Sequence, residues 1–375
     1  MKNIKNTNSL LNTQALLSMR DSGYYSERTA GAKISIDSTQ LLMEKAIKEI
    51  PKKPILKMAD FGCADGGTSQ EMWCNLIQKI RNIKDERQIE ILYTDLASND
   101  FSTLFKSMQG MQGDPKFSLQ KLFTNVFVHG CGTGFHHQLM SNESLSLGFS
   151  ATAMHYVSEK PCQIKNHVHM VGASKKEKNK FKEQAAKDWE AILLARSKEL
   201  ISGGRFICLN FGIDEEGRHL GNTNGHSMFD RFSYHWKSLE NIGIITNAEF
   251  QEASFSQHYR TVEEFCQPFN DKNSSVCESG LRLISCNTQL TECPYKINFI
   301  NKKNSIPSSV FANKLISTMR SWSETVFRTA LLNREDKEAN MIIDKFYKLY
   351  EEEVSRNPED HSMDYVHILM EIEKI

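Results

Sequence analysis

Residues 55–69 are ILKMADFGCADGGTS, and this stretch decides the fold class. Its mostly apolar first half contains neither Gly nor Pro, which predicts a short buried strand at Ile55–Phe61. Glycines then punctuate residues 62–67 and predict a tight turn whose backbone can approach a ligand closely. A helix beginning near Thr68 or Ser69 would follow, and its free N–H groups would favour a negatively charged group.

The glycine spacing narrows the ligands that such a turn can hold. Gly62, Gly66 and Gly67 do not form the G-x-G-x-x-G pattern of dinucleotide sites, and no Gly-Lys-Ser/Thr follows as in a P-loop. From the turn alone, a dinucleotide, a nucleotide phosphate, S-adenosylmethionine and an ordinary βα turn all stay open. Asp60, an acidic residue shortly before the turn and separated from it by Phe61, is more usual in methyltransferases.

Strand and helix patterns alternate along the chain around this unit. Strands are predicted at residues 89–94, 126–129, 145–150 and 205–210, and helices at 37–50, 101–108, 175–200 and 314–350. We expect the paired glycines at 203–204 to end the helix at 175–200. The alternation predicts an α/β fold with a parallel, doubly wound sheet. The less regular helical region after residue 211 predicts an α-helical cap inserted late in the sheet.

Composition and charge exclude several classes of partner. The chain has 375 residues, with 46 Lys and Arg against 46 Asp and Glu, so nothing favours nucleic acid or an acidic membrane. Nine scattered cysteines without a CxxC pair indicate reduced thiols in a cytosolic protein. No stretch reaches the ~20 apolar residues of a membrane span. We therefore expect a cytoplasmic protein with no nucleic-acid or membrane partner.

Asp95 ends the second predicted strand. An acidic side chain at this point can accept hydrogen bonds from both hydroxyls of a ribose. It lies farther from the glycines than the interval of about 20 residues that is typical of dinucleotide folds. A helix N-cap or a turn Asp is the alternative role.

Residues 126–137, VFVHGCGTGFHH, combine three glycines with three histidines. A metal site is one interpretation, but the adjacent His136 and His137 point to different sides, and no acidic ligand follows at a suitable spacing. We predict a loop that closely borders the ligand, and no metal.

Together these segments resemble one family, the plant SABATH carboxyl methyltransferases. The family includes salicylate, benzoate and jasmonate methyltransferases and the caffeine-pathway N-methyltransferases. Its N-D-L-P-x-N-D-F-N-x-I/L-F motif is similar to YTDLASNDFSTLF at 93–105, and its A-D-L-G-C matches ADFGC at 59–63. TGFHHQL at 133–139 resembles G-S-F-Y-x-R-L, and SATAMHYVS at 150–158 resembles S-S-Y-S-L-H-W-L-S. The resemblance extends from about Met19 to Glu264.

The resemblance implies S-adenosylmethionine as the cofactor and a Rossmann-like class I methyltransferase sheet, with helices on both faces and an α-helical cap. It implies four parts: an N-terminal arm closing over the site at 1–35, a cofactor-binding core at 36–211, the cap at 212–275, and final strands and C-terminal helices at 276–375. The implied cofactor contacts are Tyr25, Asp60, Gly62, Cys63, Thr68, Asp95, Leu96, Gly134, Phe135 and Ala151.

The acceptor side carries the departures from the family. His155 and Tyr156, the latter in place of the family's Trp, would position the methyl acceptor with Thr152 alongside, and no residue is a certain catalytic one. A satisfied core histidine is the alternative for His155. Ala32 stands where the family has a Gln that binds the substrate. The adjacent Lys33 would pair with the substrate's carboxylate instead. A lysine that is merely exposed to solvent is an equally open interpretation of Lys33.

The magnesium site of some family members is not matched. The positions that would carry its Asp-x-Phe-Asn pattern lie near 251–254, and the pattern is absent there. Gly172 stands in place of the Asn that completes the site. The sequence therefore predicts no metal.

The expected reaction is O-methylation of a small-molecule carboxylic acid. A carboxylate is already anionic near neutral pH, so no general base is needed, which agrees with the lack of an evident triad. N-methylation of a heterocycle, and a non-catalytic cofactor-binding protein, are the alternatives. A homodimer is expected from the family alone.

Overall fold

The computed structural model describes residues 26, 28–223, 225–302 and 305–375. The strands are β1 (Ile55–Phe61), β2 (Gln88–Thr94), β3 (Val126–Cys131), β4 (Leu145–Ala151), β5 (Leu200–Ile213), β6 (Arg260–Thr261), β7 (Leu281–Thr291) and β8 (Tyr365–Lys374). The helices of the first half are α1 (Ala30–Asp37), α2 (Gln40–Glu49), α3 (Gln70–Asn82), α4 (Phe101–Met108), α5 (Leu119–Leu122) and α6 (Lys175–Glu199). Those that follow are α7 (Met228–Asn241), α8 (Asn247–Glu252), α9 (Val262–Asn270), α10 (Ser275–Glu278), α11 (Pro294–Asn301), α12 (Ser308–Thr329) and α13 (Asp336–Arg356).

One mixed sheet organises the molecule. Its strand order is β3-β2-β1-β4-β5-β8-β7, and β6 pairs with the end of β5. Strands β1 to β5 pair in parallel, whereas β8 runs antiparallel to both of its neighbours. The chain order reverses between β1 and β4, and in an open α/β sheet a ligand binds at the carboxyl ends of the strands at such a point. The predicted α/β class is confirmed.

Helices cover both faces of this sheet. On β1, Leu56 and Met58 point to one face and pack in a cluster with Trp73 of α3, while Phe61 points to the other and packs in a cluster with Ile192 of α6. All five side chains are 2% exposed or less. This alternation is the period-two pattern of a strand with a core on each side.

A separate helical layer lies over the carboxyl ends of the strands. Its core is aromatic, with Phe232 and Trp236 of α7 packed against Phe327 of α12 and Phe346 of α13. The predicted helix at 314–350 is therefore two helices, because Glu335 between them is extended, with φ −62° and ψ 144°. The predicted division at 35, 211 and 275 stays a prediction.

The prediction that the paired glycines end a helix is wrong. Helix α6 ends at Glu199, and Leu200 is already extended. Gly203 and Gly204 lie inside β5, where the pairing with β4 shifts register. The inserted residues form a bulge, and Gly203 has φ +78°, a conformation that glycine adopts without strain.

In the part of the chain that the structure describes, no helix is both long enough and apolar enough to cross a membrane.

Candidate active site

A cavity of about 460 Å³ opens at the carboxyl edge of the parallel strands. Its size falls in the range of small-molecule sites, about 300–1,000 Å³. Four of its walls begin directly after a strand: Gly62 after β1, Asp95 after β2, Gly132 after β3 and Thr152 after β4. The remaining lining residues are Cys63, Ala64, Thr68, Leu96, Ala97, Thr133, Gly134, Phe135, His136, His137, Ala151, Ala153, Tyr156, Val157, Ser158, Asp188 and Ala191.

The Gly-rich turn is held against the neighbouring strand by backbone hydrogen bonds. Gly62 N and Cys63 N both donate to Thr94 O, at 2.8 and 3.0 Å. Gly62 has φ +81°, and a Cβ there would stand 2.3 Å from the Cβ of Ala153. Glycine is therefore required both by the turn and by the close approach of the loop after β4.

Asp95 joins the first two loops of the cavity. Its Oδ2 accepts from Ala64 N and its Oδ1 from Leu96 N, both at 2.8 Å. Burial raises the pKa of Asp95, and the two backbone N–H groups act in the opposite direction. Because each carboxylate oxygen has two acceptor positions, one remains on each oxygen, which suits a pair of ribose hydroxyls.

A second pocket, of about 30 Å³, adjoins the large cavity. The two share Thr152 and Tyr156, so the space after β4 connects them. Aromatic and aliphatic groups supply most of the small pocket's wall. Its other lining residues are Thr29, Ala32, His155, Phe211, Leu220, Gln257, Tyr259, Trp322, Met363 and Tyr365.

His155 is the imidazole of this small pocket. It is 2% exposed, and its Nδ1 lies 3.3 Å from Asn210 Oδ1 on β5. Burial lowers the pKa of His155 to about 3, with Asn210 opposing the shift. The ring is therefore neutral near neutral pH and cannot form an ion pair. Since Asn210 Oδ1 can only accept, Nδ1 carries the hydrogen, and Nε2 can accept one hydrogen bond from a ligand.

A family model described as SAM-dependent carboxyl methyltransferase matches residues 20–375. The chain belongs to this family. S-adenosylmethionine is accordingly its cofactor, and the large cavity with the paired acceptor positions of Asp95 fits that molecule.

Three curated plant relatives match the chain over part of its length. The farnesoic acid carboxyl-O-methyltransferase of Arabidopsis thaliana is 26% identical over 60% of this chain and 65% of the relative. The loganic acid O-methyltransferase of Catharanthus roseus is 22% identical over 65% and 68%, respectively. The salicylate/benzoate carboxyl methyltransferase of Arabidopsis thaliana is 28% identical over 58% and 56%.

A solved structure of a loganic acid methyltransferase with SAH supports the fold. It covers 96% of this chain and 98% of its own, with a TM-score of 0.73 at 18% identity. At this identity the likeness shows the fold alone.

The sequence-predicted cofactor residues fall into three groups. Eight line the large cavity: Gly62, Cys63, Thr68, Asp95, Leu96, Gly134, Phe135 and Ala151. Tyr25 lies outside the described residues. Asp60 lies beneath the turn and is absent from the lining; its Oδ2 accepts from Ser69 Oγ at 2.6 Å and from Trp73 Nε1 at 3.0 Å. Burial raises the pKa of Asp60 to about 6 against these two donors.

Of the sequence-predicted acceptor residues, Thr152, His155 and Tyr156 line the small pocket and Lys33 does not. Lys33 Nζ lies 2.5 Å from Asp37 Oδ2 and 2.6 Å from Glu71 Oε2, in a separate polar cleft. Its ammonium group is therefore already paired with two carboxylates. Ala32, its neighbour, contributes a methyl group to the small pocket instead.

Sequence reasoning missed the ion pair that holds the loop beside the cavity. Arg196 and Glu199 of α6 are both 0% exposed and bond to each other at 2.6 Å. Arg196 donates to Phe135 O at 3.0 Å and to His137 O at 2.8 Å. Glu199 Oε1 accepts from the backbone N–H groups of the two residues 139 and 140. The two charged residues lie three positions apart at the end of a highly charged helix. Nothing in this pattern indicated that they hold a loop in place.

Among the described residues, no cluster of three or more His, Cys, Asp or Glu has a geometry that could hold a metal ion.

Proposed function

We propose that the protein transfers a methyl group from S-adenosylmethionine to the carboxylate of a small-molecule acid, with a methyl ester as product. The observation that carries the proposal is the junction of two cavities at Thr152 and Tyr156. One cavity has the size and the Asp95 acceptor of a cofactor site, and the other is small and mostly apolar. Membership of the carboxyl methyltransferase family supports the same reaction, as do the acid substrates in the names of the relatives.

The residues of the chain would act by holding and by excluding water. When bound, S-adenosylmethionine supplies an electrophilic methyl group on a positively charged sulfur. Asp95 and the loops after β1 and β3 would hold the cofactor. An acid is ionised near neutral pH, so the pocket needs no base and has to keep one carboxylate oxygen in line with the methyl group. The apolar walls, Phe211 and Leu220 among them, would keep water from the reacting groups.

The test is transfer of a labelled methyl group to pooled aliphatic and aromatic acids. We expect a product that mild base hydrolyses, because an ester is base-labile. The matched control is Asp95→Ala, which should lower the yield by removing the ribose acceptor. A base-stable product would replace the proposal by N-methylation. Cofactor binding without any product would replace it by a non-catalytic binding protein.

The individual site assignments belong to the same proposal. The eight lining residues named above and Asp60 are assigned to the cofactor, and Thr152, His155 and Tyr156 to the acceptor. A homodimer and a cytoplasmic location are proposed from the family resemblance and composition. Light scattering after size-exclusion chromatography and cell fractionation test these two points.

A further inference from the structure

We propose that Gln257 supplies the amide N–H that binds the acceptor's carboxylate, and that His169 orients this amide. The assignment rests on the proposed carboxyl methylation and names a specificity-determining residue for it. Gln257 precedes β6, is 1% exposed and lines the small pocket. Its backbone forms a bridge with Tyr156, the residue shared by the two cavities, which places it beside the junction.

The orientation of the Gln257 amide follows from a chain of hydrogen bonds. Val171 N donates to His169 Nδ1 at 3.3 Å, so Nδ1 is the acceptor nitrogen and Nε2 carries the hydrogen. His169 Nε2 lies 3.2 Å from Gln257 Oε1, and Tyr259 OH donates to the same oxygen at 3.5 Å. Because His169 Nε2 can only donate, it selects the amide oxygen and turns the NH₂ group away from itself. The Tyr259 hydroxyl, which can donate or accept, is compatible with this orientation.

Packing keeps this arrangement in one state. The His169 ring is 0% exposed and stacks on Phe229 with centroids 3.9 Å apart and planes 13° apart. Burial holds the pKa of His169 well below its ordinary value, and the neighbouring histidines 219, 167 and 155 act in the same direction. The ring is therefore neutral at neutral pH, so Nδ1 can accept from Val171 N while Nε2 donates to the Gln257 amide oxygen.

The Gln257 NH₂ group is thereby presented without a partner. Its nitrogen donates no hydrogen bond to any residue in the described ranges. It is not one of the fully buried atoms that lack a partner, so it keeps accessible surface at the pocket wall. An amide donor that faces a pocket and bonds to no described residue is available to an acceptor atom of a ligand. A carboxylate oxygen is the matching acceptor.

A neutral donor suits an acceptor that loses its charge during the reaction. Neither Arg nor Lys occurs among the described residues that line this pocket. A buried cation would be left unpaired once a neutral ester had formed, whereas an amide N–H can bond to either the carboxylate or the ester oxygen. The pocket is thus built to bind the acid and still release the product.

The test compares acids with their primary amides on protein loaded with S-adenosylhomocysteine. Calorimetry would use benzoate with benzamide and octanoate with octanamide. Gln257→Glu replaces the donor by a carboxylate of the same shape. We expect it to weaken binding of the acids about 10- to 100-fold, and to leave binding of the amides within about threefold. Gln78→Glu, on the exposed face of α3, is the matched control and should change neither.

Kinetics on an acid that the wild type methylates separate a binding role from a structural one. Gln257→Ala should raise KM for the acid about 10- to 100-fold with kcat within about threefold, and leave the affinity for S-adenosylhomocysteine unchanged. His169→Phe, which keeps a ring against Phe229 but removes the Nε2 donor, should raise KM less. Gln257→Met, apolar and of similar volume, replaces the Ala variant if that does not fold.

Two failures can be told apart. Absence of methyl ester from every acid with the wild type would overturn the proposed function. An unchanged acid-to-amide preference in Gln257→Glu, or an unchanged KM in Gln257→Ala, would overturn the assignment of Gln257 while leaving the methylation intact.

Discussion

Replacing Arg196 by Met should destabilise the protein and loosen its cofactor site together. The guanidinium group bonds to Glu199 through Nε and Nη2 and to the carbonyls of Phe135 and His137, and it lies 4.1 Å from the ring centroid of Phe61. Met keeps much of the packing volume but none of the five donors. The change therefore isolates the polar role of the side chain.

The magnitude follows from the burial of the pair. Both side chains are 0% exposed, so removing Arg196 leaves the Glu199 carboxylate buried with only backbone N–H partners. Breaking one partner of a buried ion pair costs about 3–5 kcal/mol. Arg196→Met/Glu199→Met should lose less stability than Arg196→Met alone, because no buried charge remains.

Urea unfolding followed by circular dichroism measures the effect, and calorimetry with S-adenosylhomocysteine measures the site. We expect the dissociation constant to rise about fivefold to tenfold, because the loop at 132–140 loses hydrogen bonds that fix it, each worth about 1 kcal/mol. The control is Arg282→Met: Arg282 is 58% exposed in its pair with Glu373, and an exposed pair is worth about 1 kcal/mol or less.

Two results would refute the reasoning. The first is that Arg196→Met loses no more stability than Arg282→Met. The second is that Arg196→Met/Glu199→Met is less stable than Arg196→Met. Either outcome would mean that Arg196 does not stabilise the protein by neutralising the buried charge of Glu199.

Asp95→Asn should raise the dissociation constant for S-adenosylmethionine about 10- to 100-fold in calorimetry, since an ionised hydrogen-bond acceptor is lost; an unchanged constant would remove Asp95 from the site. Lys33→Met should leave KM for the acid within about twofold, because Lys33 pairs with Asp37 and Glu71 outside the pocket; a tenfold rise would return Lys33 to the acceptor site. Burial lowers the pKa of both His155 and His367 to about 3. Between about pH 6.5 and 3 both rings are therefore neutral in the folded protein but protonated in the unfolded chain. Stability should therefore fall by about 1.4 kcal/mol per pH unit for each as pH drops from 6.5 towards 3, and urea midpoints at pH 7.5, 6.5 and 5.5 should show a smaller slope in His367→Phe than in the wild type.

The parts of the fold that sequence predicts are those encoded locally. The strand at Ile55–Phe61 is a mostly apolar segment without Gly or Pro, and Pro54 and Gly62 bound it. Its observed ends agree with the prediction. The paired glycines at 203–204 misled because a glycine at the end of a helix and a glycine at a bulge have the same sequence signature. Only the register between β4 and β5 distinguishes them.

The site follows the same rule. The cofactor cavity was predictable because its walls begin at strand ends, where short motifs such as Asp95–Leu96 are contiguous in sequence. Gln257 was not, because its partner His169 is 88 residues away and its role depends on which nitrogen of that ring carries a hydrogen. The sequence did show that Ala32 replaces the family's substrate-binding Gln, so that the amide of this Gln is missing. It did not indicate which residue would supply an amide instead.

The position of β8 has a consequence for how the protein forms. Strand β7 pairs only with β8 among the described strands, and β8 in turn pairs with β5, so β7 can join the sheet only after residues 365–374 are in place. Residues 292–364, which separate the two strands, fold mostly as helices of the outer layer. During synthesis β7 is therefore made before the strand it pairs with, and an unpaired strand is prone to aggregation until residues 365–374 have been added.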